Sequence, residues 1–374
     1  MRAALCFWIA TLLIPTSALA DARALVIART GGGPWSTGPI QARLGEVVEL
    51  SVGVIDDASL PSDASLRIEG HVRRIATTLP RGTTVRWLRV EPRLMHTTTP
   101  SPNPDIESFS NAVLTGPRHG AWLGYDTLEY TTNDLTPSES VAIESASVRV
   151  SAAHPTARER DLHGGAGSIW LAAVLTLPDG RALTTADGTS VDRFGLRRDV
   201  MRVSFRSGDD YLGWLATYFN VPNLFGSSGG RSDHQTDRYV GADCADVLVG
   251  GRRAMGERFA YASVAGIATF ATPITDAFEQ RADGTESIAL RWGADIEPGD
   301  LVTIGYENPG DDAELPRAWD HIGTLVRDAD GDGVLGVGDI LRHMGFEGLA
   351  DQALSVHGHV RLRVYRWRRA PRHR

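Results

Sequence analysis

The chain has 374 residues, 42% apolar and 22% charged, which is a soluble globular composition with room for two domains. All 38 basic residues are arginine and the net charge is -8, which argues against nucleic acid as a partner.

The first twenty residues stand apart. Arg2 gives a short positive start. Residues 3–14 form an apolar run too short to span a bilayer comfortably, and Ala18-Leu19-Ala20 offers a small-residue cleavage site. This is the pattern of a signal peptide, residues 1–20, cleaved after Ala20. It implies an exported protein, periplasmic or extracellular, with no transmembrane segment in the mature chain. Cys6 would leave with that segment, and Cys244 would remain as the single thiol in a compartment that favours disulfides. A lone cysteine is either a small buried hydrophobe or a thiol kept for chemistry, and its neighbours must decide.

Residues 21–205 read as a β-rich domain. Val48, Leu50, Val52 and Val54 alternate with Glu49, Ser51 and Gly53, as a half-buried strand requires. Leu66, Ile68 and Val72 suggest a second strand, and Val148-Arg149-Val150 a third. Residues 171–177, a turn at Pro178-Asp179-Gly180 and residues 181–183 read as a hairpin. Short strands with frequent turns point to an all-β sandwich, of which the immunoglobulin-like arrangement is one form. Residues 96–105, with three prolines, and residues 154–167 read as exposed loops. No cluster of His, Asp or Ser in this half has catalytic spacing, so it reads as a binding or spacing module.

Near Asp209 the pattern changes. Tyr211, Leu212, Leu215, Tyr218 and Phe219 fall at helical spacing with Asp209 placed as the cap, and Pro222 and the run Gly226-Ser227-Ser228-Gly229-Gly230 follow. A second helix is expected over 243–255. Strands are expected at 301–306, 321–326, 340–343 and 357–367. Helices followed by strands give residues 206–374 an α+β order.

Gly241-Ala242-Asp243-Cys244-Ala245-Asp246 puts the sole mature cysteine in the first turn of that second helix, with Asp243 as N-cap and Asp246 as an approximate capping box. A helix amino terminus favours a thiolate, two flanking aspartates oppose it, and a base is needed. His321 opens a strand in Asp320-His321-Ile322-Gly323-Thr324-Leu325. His343 lies on the next strand, where it could orient the first histidine.

In this order of motifs the chain resembles the NlpC-type cell-wall peptidases, a papain-like family. The resemblance covers about residues 209–345, through Asp243-Cys244-Ala245-Asp246, Pro298-Gly299-Asp300-Leu301-Val302, the His321 strand and His343. Asn220-Val221-Pro222-Asn223-Leu224-Phe225-Gly226 is similar to the family's segment before the cysteine. The resemblance implies a papain-like α+β fold, Cys244 as nucleophile, His321 as base, His343 as its partner, and peptidoglycan stem peptide as substrate. Asn223 stands where the family has an oxyanion-binding tyrosine, and an amide can donate in its place. Ala245-Asp246 departs from the family's Ser-Gly pair, and the 77 residues from Cys244 to His321 make a long span, with extra material at 258–294.

Asp328-Ala329-Asp330-Gly331-Asp332-Gly333 opens a twelve-residue loop, 328–339, that ends at Asp339. Carboxylates occupy positions 1, 3, 5 and 12 with glycine at 6, the spacing of a calcium loop. Val334 would offer its carbonyl and Gly336 a place for water. The other reading is a polar hairpin tip, since turns also favour Asp and Gly. The flanks read as strands, so the loop would join the His321 strand to the His343 strand.

The sequence therefore reads as an exported cysteine hydrolase acting on an amide or peptide bond, with structural calcium. The alternatives are an acyl transferase or amidase on a substrate other than peptidoglycan, and a calcium-stabilised binding or adhesion protein whose catalytic domain is inactive.

Overall fold

Alternating apolar residues build the first half of the chain. The computed structural model describes residues 22–68, 70–95, 127–153, 163–192, 194–224, 226–227, 234–281, 288–306 and 319–368. The expected signal segment, the loop at 96–105, most of the loop at 154–167 and Ser228-Gly229-Gly230 lie outside the described residues.

In chain order the first strands are β1 (Arg23–Thr30), β2 (Ile40–Arg43), β3 (Val48–Ile55), β4 (Ala64–Ile68), β5 (His71–Ile75), β6 (Thr84–Met95) and β7 (Thr127–Asp134). They continue with β8 (Val141–Glu144), β9 (Ser147–Val150), β10 (Gly167–Thr176), β11 (Ala182–Thr184), β12 (Val191–Asp192), β13 (Gly195–Leu196) and β14 (Met201–Arg206). One sheet runs β1-β3-β9-β8 and the other β2-β14-β10-β6-β7, with β11 paired to β10 and β2 parallel to β14. Val48, Leu50 and Val52 of one sheet meet Leu171, Leu175 and Phe205 of the other in one core. The β10–β11 hairpin closes through Leu177 N–H to the Arg181 carbonyl, with Gly180 at φ 87.

A second core crosses from this half into the next. It joins Leu88, Val90 and Trp170 to Tyr218, Phe219, Val240, Leu248, Ile322 and Trp367. The helices here are α1 (Tyr211–Leu215), α2 (Gln235–Arg238) and α3 (Cys244–Ala254). Asp210, not Asp209, caps α1 by accepting from the Gly213 N–H. Asp209 is instead paired with Arg43 and Arg206. The helical run stops early because Asn220 takes φ 71 and Pro222 follows.

The remaining strands are β15 (Ala271–Pro273), β16 (Phe278–Gln280), β17 (Leu301–Tyr306), β18 (His321–Arg327), β19 (Ile340–Gly345), β20 (Gly348–Ala353) and β21 (Val360–Trp367). They form one sheet in the order β15-β21-β17-β18-β19-β20, with β16 also on β21. This overturns the expectation of an α+β, papain-like second half. Strands hold 45% of the structure and helices 12%, and the one helix of any length among the described residues, α3, packs on β18 without making the second half a papain-like α+β fold. The helical periodicity after Asp209 yields five α-helical residues and a short 3₁₀ turn, and among the described residues the connection after α3 holds 3₁₀ and short β segments. No helix among the described residues is long and apolar enough to cross a membrane.

Gly250 and Gly251 let α3 approach its neighbours. A Cβ on Gly250 would lie 2.6 Å from Tyr218 Oη and 2.8 Å from Thr236 Cγ2, so the close packing is against the preceding turns rather than the sheet. Gly250→Ala should therefore destabilise the protein by about 1–3 kcal/mol through overpacking, despite alanine's better helix propensity. Urea unfolding that gives an unchanged or higher midpoint would refute this account of α3.

Candidate functional site

The start of α3 is fixed from three directions. Asp243 Oδ1 accepts the N–H groups of Ala245 (3.0 Å) and Asp246 (2.7 Å), and Oδ2 accepts that of Gly226 at 3.1 Å. The capping box expected of Asp246 is not closed by that residue. Asp243 N–H donates instead to Ser227 Oγ at 3.2 Å, and Ser227 donates to the buried Asp246 carboxylate at 2.8 Å. Burial pushes the Asp243 carboxyl upward, against the amides that hold it. The Val247 N–H goes to the Asp243 carbonyl. The Cys244 N–H is thus the one amide of the first turn left without an acceptor among the described residues.

Cys244 is half-buried and has no disulfide partner among the described residues. Burial and then the Asp243 carboxylate push its thiol up to about 12, while the backbone N–H groups of Ile322 and Ala245 face the sulfur and pull the other way. The Ile322 contact brings Cys244 against the residue that follows His321, where α3 packs on β18.

The two sequence-predicted histidines meet. Gly323 pairs with His343 across β18 and β19, so His321 and His343 are diagonal neighbours, and His321 Nε2 lies 2.8 Å from His343 Nδ1. His343 pairs with Ala350 on β20, which makes Gln352 its diagonal neighbour. His343 Nε2 lies 2.8 Å from Gln352 Oε1. An amide oxygen can only accept, so His343 carries its proton on Nε2 and presents Nδ1 as an acceptor. His321 then carries its proton on Nε2, and its Nδ1 is left as a free base.

Two further groups were not legible in advance. His357, at the end of a 3₁₀ turn, has its ring centroid 4.9 Å from that of His343 and 5.8 Å from that of His321. Its Nδ1 lies 2.8 Å from Tyr306 Oη, and its Nε2 is buried without a partner among the described residues. Burial, Asp320 and Cys244 push the Tyr306 hydroxyl up to about 12, which sets this phenol near the thiol. Burial, then His343 and His357, hold His321 down at about 3. Burial and then His343 hold His357 at about 4, and burial lowers His343 as well.

Asn223 lies in a parallel bridge beside Ala242, and its Nδ2 donates to the Gly345 carbonyl at 3.0 Å, at the end of β19. One of its amide hydrogens is thus used to tie the segment before α3 to the strand of His343.

In the loop at 328–339, ligand atoms of Asp328, Asp330 and Asp332 lie within 4.8 Å of one another, a cluster that could hold a cation. Asp339 does not join them. It is fully buried, and its two oxygens accept from Ala329 N–H, Gly336 N–H and Trp292 Nε1, each at 2.9 Å. Val334 N–H donates to Asp332, and the Gly336 amide serves Asp339.

Comparison with protein-family models, curated proteins and solved structures returned no match.

The lowered histidines have a consequence for stability. In the unfolded chain an imidazole binds a proton near 6.5, whereas folded His321 does so only at about 3 and folded His357 at about 4. Between those limits the unfolded state holds more protons, so stability is full above about 6.5 and falls as pH drops. The melting temperature should fall by several degrees from pH 7 to pH 5, and His343→Gln/His357→Gln should flatten the fall. A melting temperature equally pH-dependent in both proteins would contradict the burial of these rings as neutral groups.

Proposed function

We propose that the chain is an exported cysteine hydrolase that cleaves an amide or peptide bond in an extracytoplasmic polymer, with peptidoglycan stem peptide as substrate. The observation that carries the chemistry is the hydrogen-bonded series His321–His343–Gln352, set where the Cys244 sulfur meets the Ile322 amide. The motif order resembling the NlpC-type peptidases supports the substrate, and the pattern of residues 1–20 supports export.

Thiol and imidazole both rest neutral, so the nucleophile is made during attack. The Cys244 proton passes to His321 Nδ1 as sulfur bonds to the carbonyl carbon. The Cys244 N–H then donates to the developing oxyanion. Collapse breaks the C–N bond, and the leaving nitrogen takes the proton from His321. Water, deprotonated by the same Nδ1, attacks the thioester and releases the acid, and the proton returns to sulfur. His343 and Gln352 hold the resting His321 ring in the tautomer whose Nδ1 is open to accept the proton, and keep it aimed throughout.

We also propose that the 328–339 loop takes calcium through Asp328, Asp330 and Asp332. Three carboxylates this close repel one another, and a bound cation would neutralise them. The ion's place is structural, because the loop joins β18 to β19 and so the two histidines.

Cys244→Ala should abolish release of new amino termini from peptidoglycan while melting as wild type does. Gln352→Leu should lower kcat about tenfold with little change in KM, as loss of an orienting partner does. It should also shift the acid limb of the pH–rate profile, which a purely structural role would not move. Hydrolysis retained in Cys244→Ala sinks the mechanism.

Calcium titrated into chelator-treated protein should raise the melting temperature, and Asp330→Ala should remove that rise while Cys244 still reacts with iodoacetamide. Identical melting with and without calcium, metal content verified, would exclude the calcium site.

A further inference from the structure

A cavity of about 440 Å³ opens between β1 and the segment that leads into α3. That volume suits a small ligand. Its lining includes the apolar Leu25, Val26, Ile68 and Trp170, together with five arginines against three aspartates. Each aspartate already has its own cation. Asp192 takes both terminal nitrogens of Arg238 at 3.1 and 3.0 Å, Asp199 takes Arg197, and Asp237 takes Arg253.

Arg202 is left over. It is 8% exposed, yet no carboxylate pairs with it among the described residues. Its partners are the Ser204 hydroxyl at 2.6 Å and Tyr239, whose ring centroid lies 3.6 Å from the guanidinium carbon. A guanidinium has five N–H donors and does not lose its charge at physiological pH. Burying that charge without a counter-ion is costly, and burial pulls the group's pKa down. Arg23, exposed on the same cavity, carries no ion pair among the described residues either.

Tyr239, the left-handed C-cap of α2, holds the guanidinium by its ring face. It holds φ 61, a left-handed conformation that is costly for a tyrosine. The strain is sustained by stacking on Tyr218 at 4.2 Å, by a 2.9 Å hydrogen bond to Thr217 Oγ1 and by Arg202 itself. The guanidinium is thus fixed in place before any ligand arrives, and Arg202 is among the residues that line the cavity.

We propose that this cavity binds a small organic carboxylate, its anionic head on Arg202 and its apolar body against Leu25, Val26 and Trp170. A carboxylate matches the planar fork of a guanidinium and supplies the missing counter-charge. The apolar lining selects against inorganic anions, which bring charge without a body to bury.

Isothermal titration of the full chain with hexanoate tests the assignment, with hexanamide, hexylammonium and inorganic phosphate as controls. Hexanoate should bind saturably, hexanamide and phosphate at least about tenfold more weakly, and hexylammonium not at all. Arg202→Met, close in volume and apolar, should lose hexanoate binding. Should that variant fail to fold, Arg202→Lys keeps charge and stem and should bind about tenfold more weakly, because a lysine cannot present two parallel donors. The proposal is overturned if hexanoate and hexanamide bind alike, if neither binds, or if phosphate alone accounts for the binding. It is also overturned if either Arg202 variant binds hexanoate as tightly as the wild type.

Discussion

One carboxylate organises the centre of the second half. Asp243 receives three backbone N–H groups, from Gly226, Ala245 and Asp246. Buried amides must find acceptors, and a helix start leaves several without one. By taking these, Asp243 both starts α3 and anchors the loop before it. Its position next in chain to Cys244 then decides where the thiol sits. The same negative charge raises the thiol's pKa, so the cap that positions the sulfur also keeps it protonated. Placement is obtained at the cost of reactivity, and under the proposed mechanism the neighbouring imidazole series is what recovers it.

That series depends on strand register. A hairpin turn at Phe346 and Glu347 fixes Gly345 opposite Gly348, which in turn sets Gln352 diagonal to His343. The 328–339 loop does the equivalent for His321 and His343 despite the register shift between Leu325 and Arg327. Buried Asp339 locks the far end of that loop with three donors, a load-sharing role quite different from a ligand's. Sheet geometry, rather than any single contact, makes one histidine the partner of the other.

Where the pattern was local, it could be read. The alternation in β3, the Pro178-Asp179-Gly180 turn, the Asp243 cap and the strand starts at Leu301, His321 and Ile340 each follow from neighbouring residues. What escaped was set by distant ones. The apolar spacing from Tyr211 to Phe219 read as a helix, and it forms as five α-helical residues and a 3₁₀ turn before the left-handed Asn220 and Pro222. Ser227 took the place expected of Asp246 because a loop folds back over the cap. Gln352 could have been found by counting from the Gly345–Gly348 turn. Tyr306 and His357 could not, since no spacing links β17 to a 3₁₀ turn 51 residues later.

The segment from α2 to α3 connects the thiol with the arginine cavity. Arg238 and Val240 line the cavity, Tyr239 supports Arg202, and four residues after Val240 comes Cys244. Its backbone cannot slide freely. Gly241 lies so close to Leu224 that a Cβ there would approach within 2.5 Å, and Tyr239 is held in the left-handed region by its ring contacts. A displacement of Tyr239 would therefore be passed along a short, constrained stretch to the Asp243 cap, because close-packed interiors shift in concert instead of absorbing strain locally. An anion paired with Arg202 would share the guanidinium's charge and so loosen its cation–π hold on Tyr239.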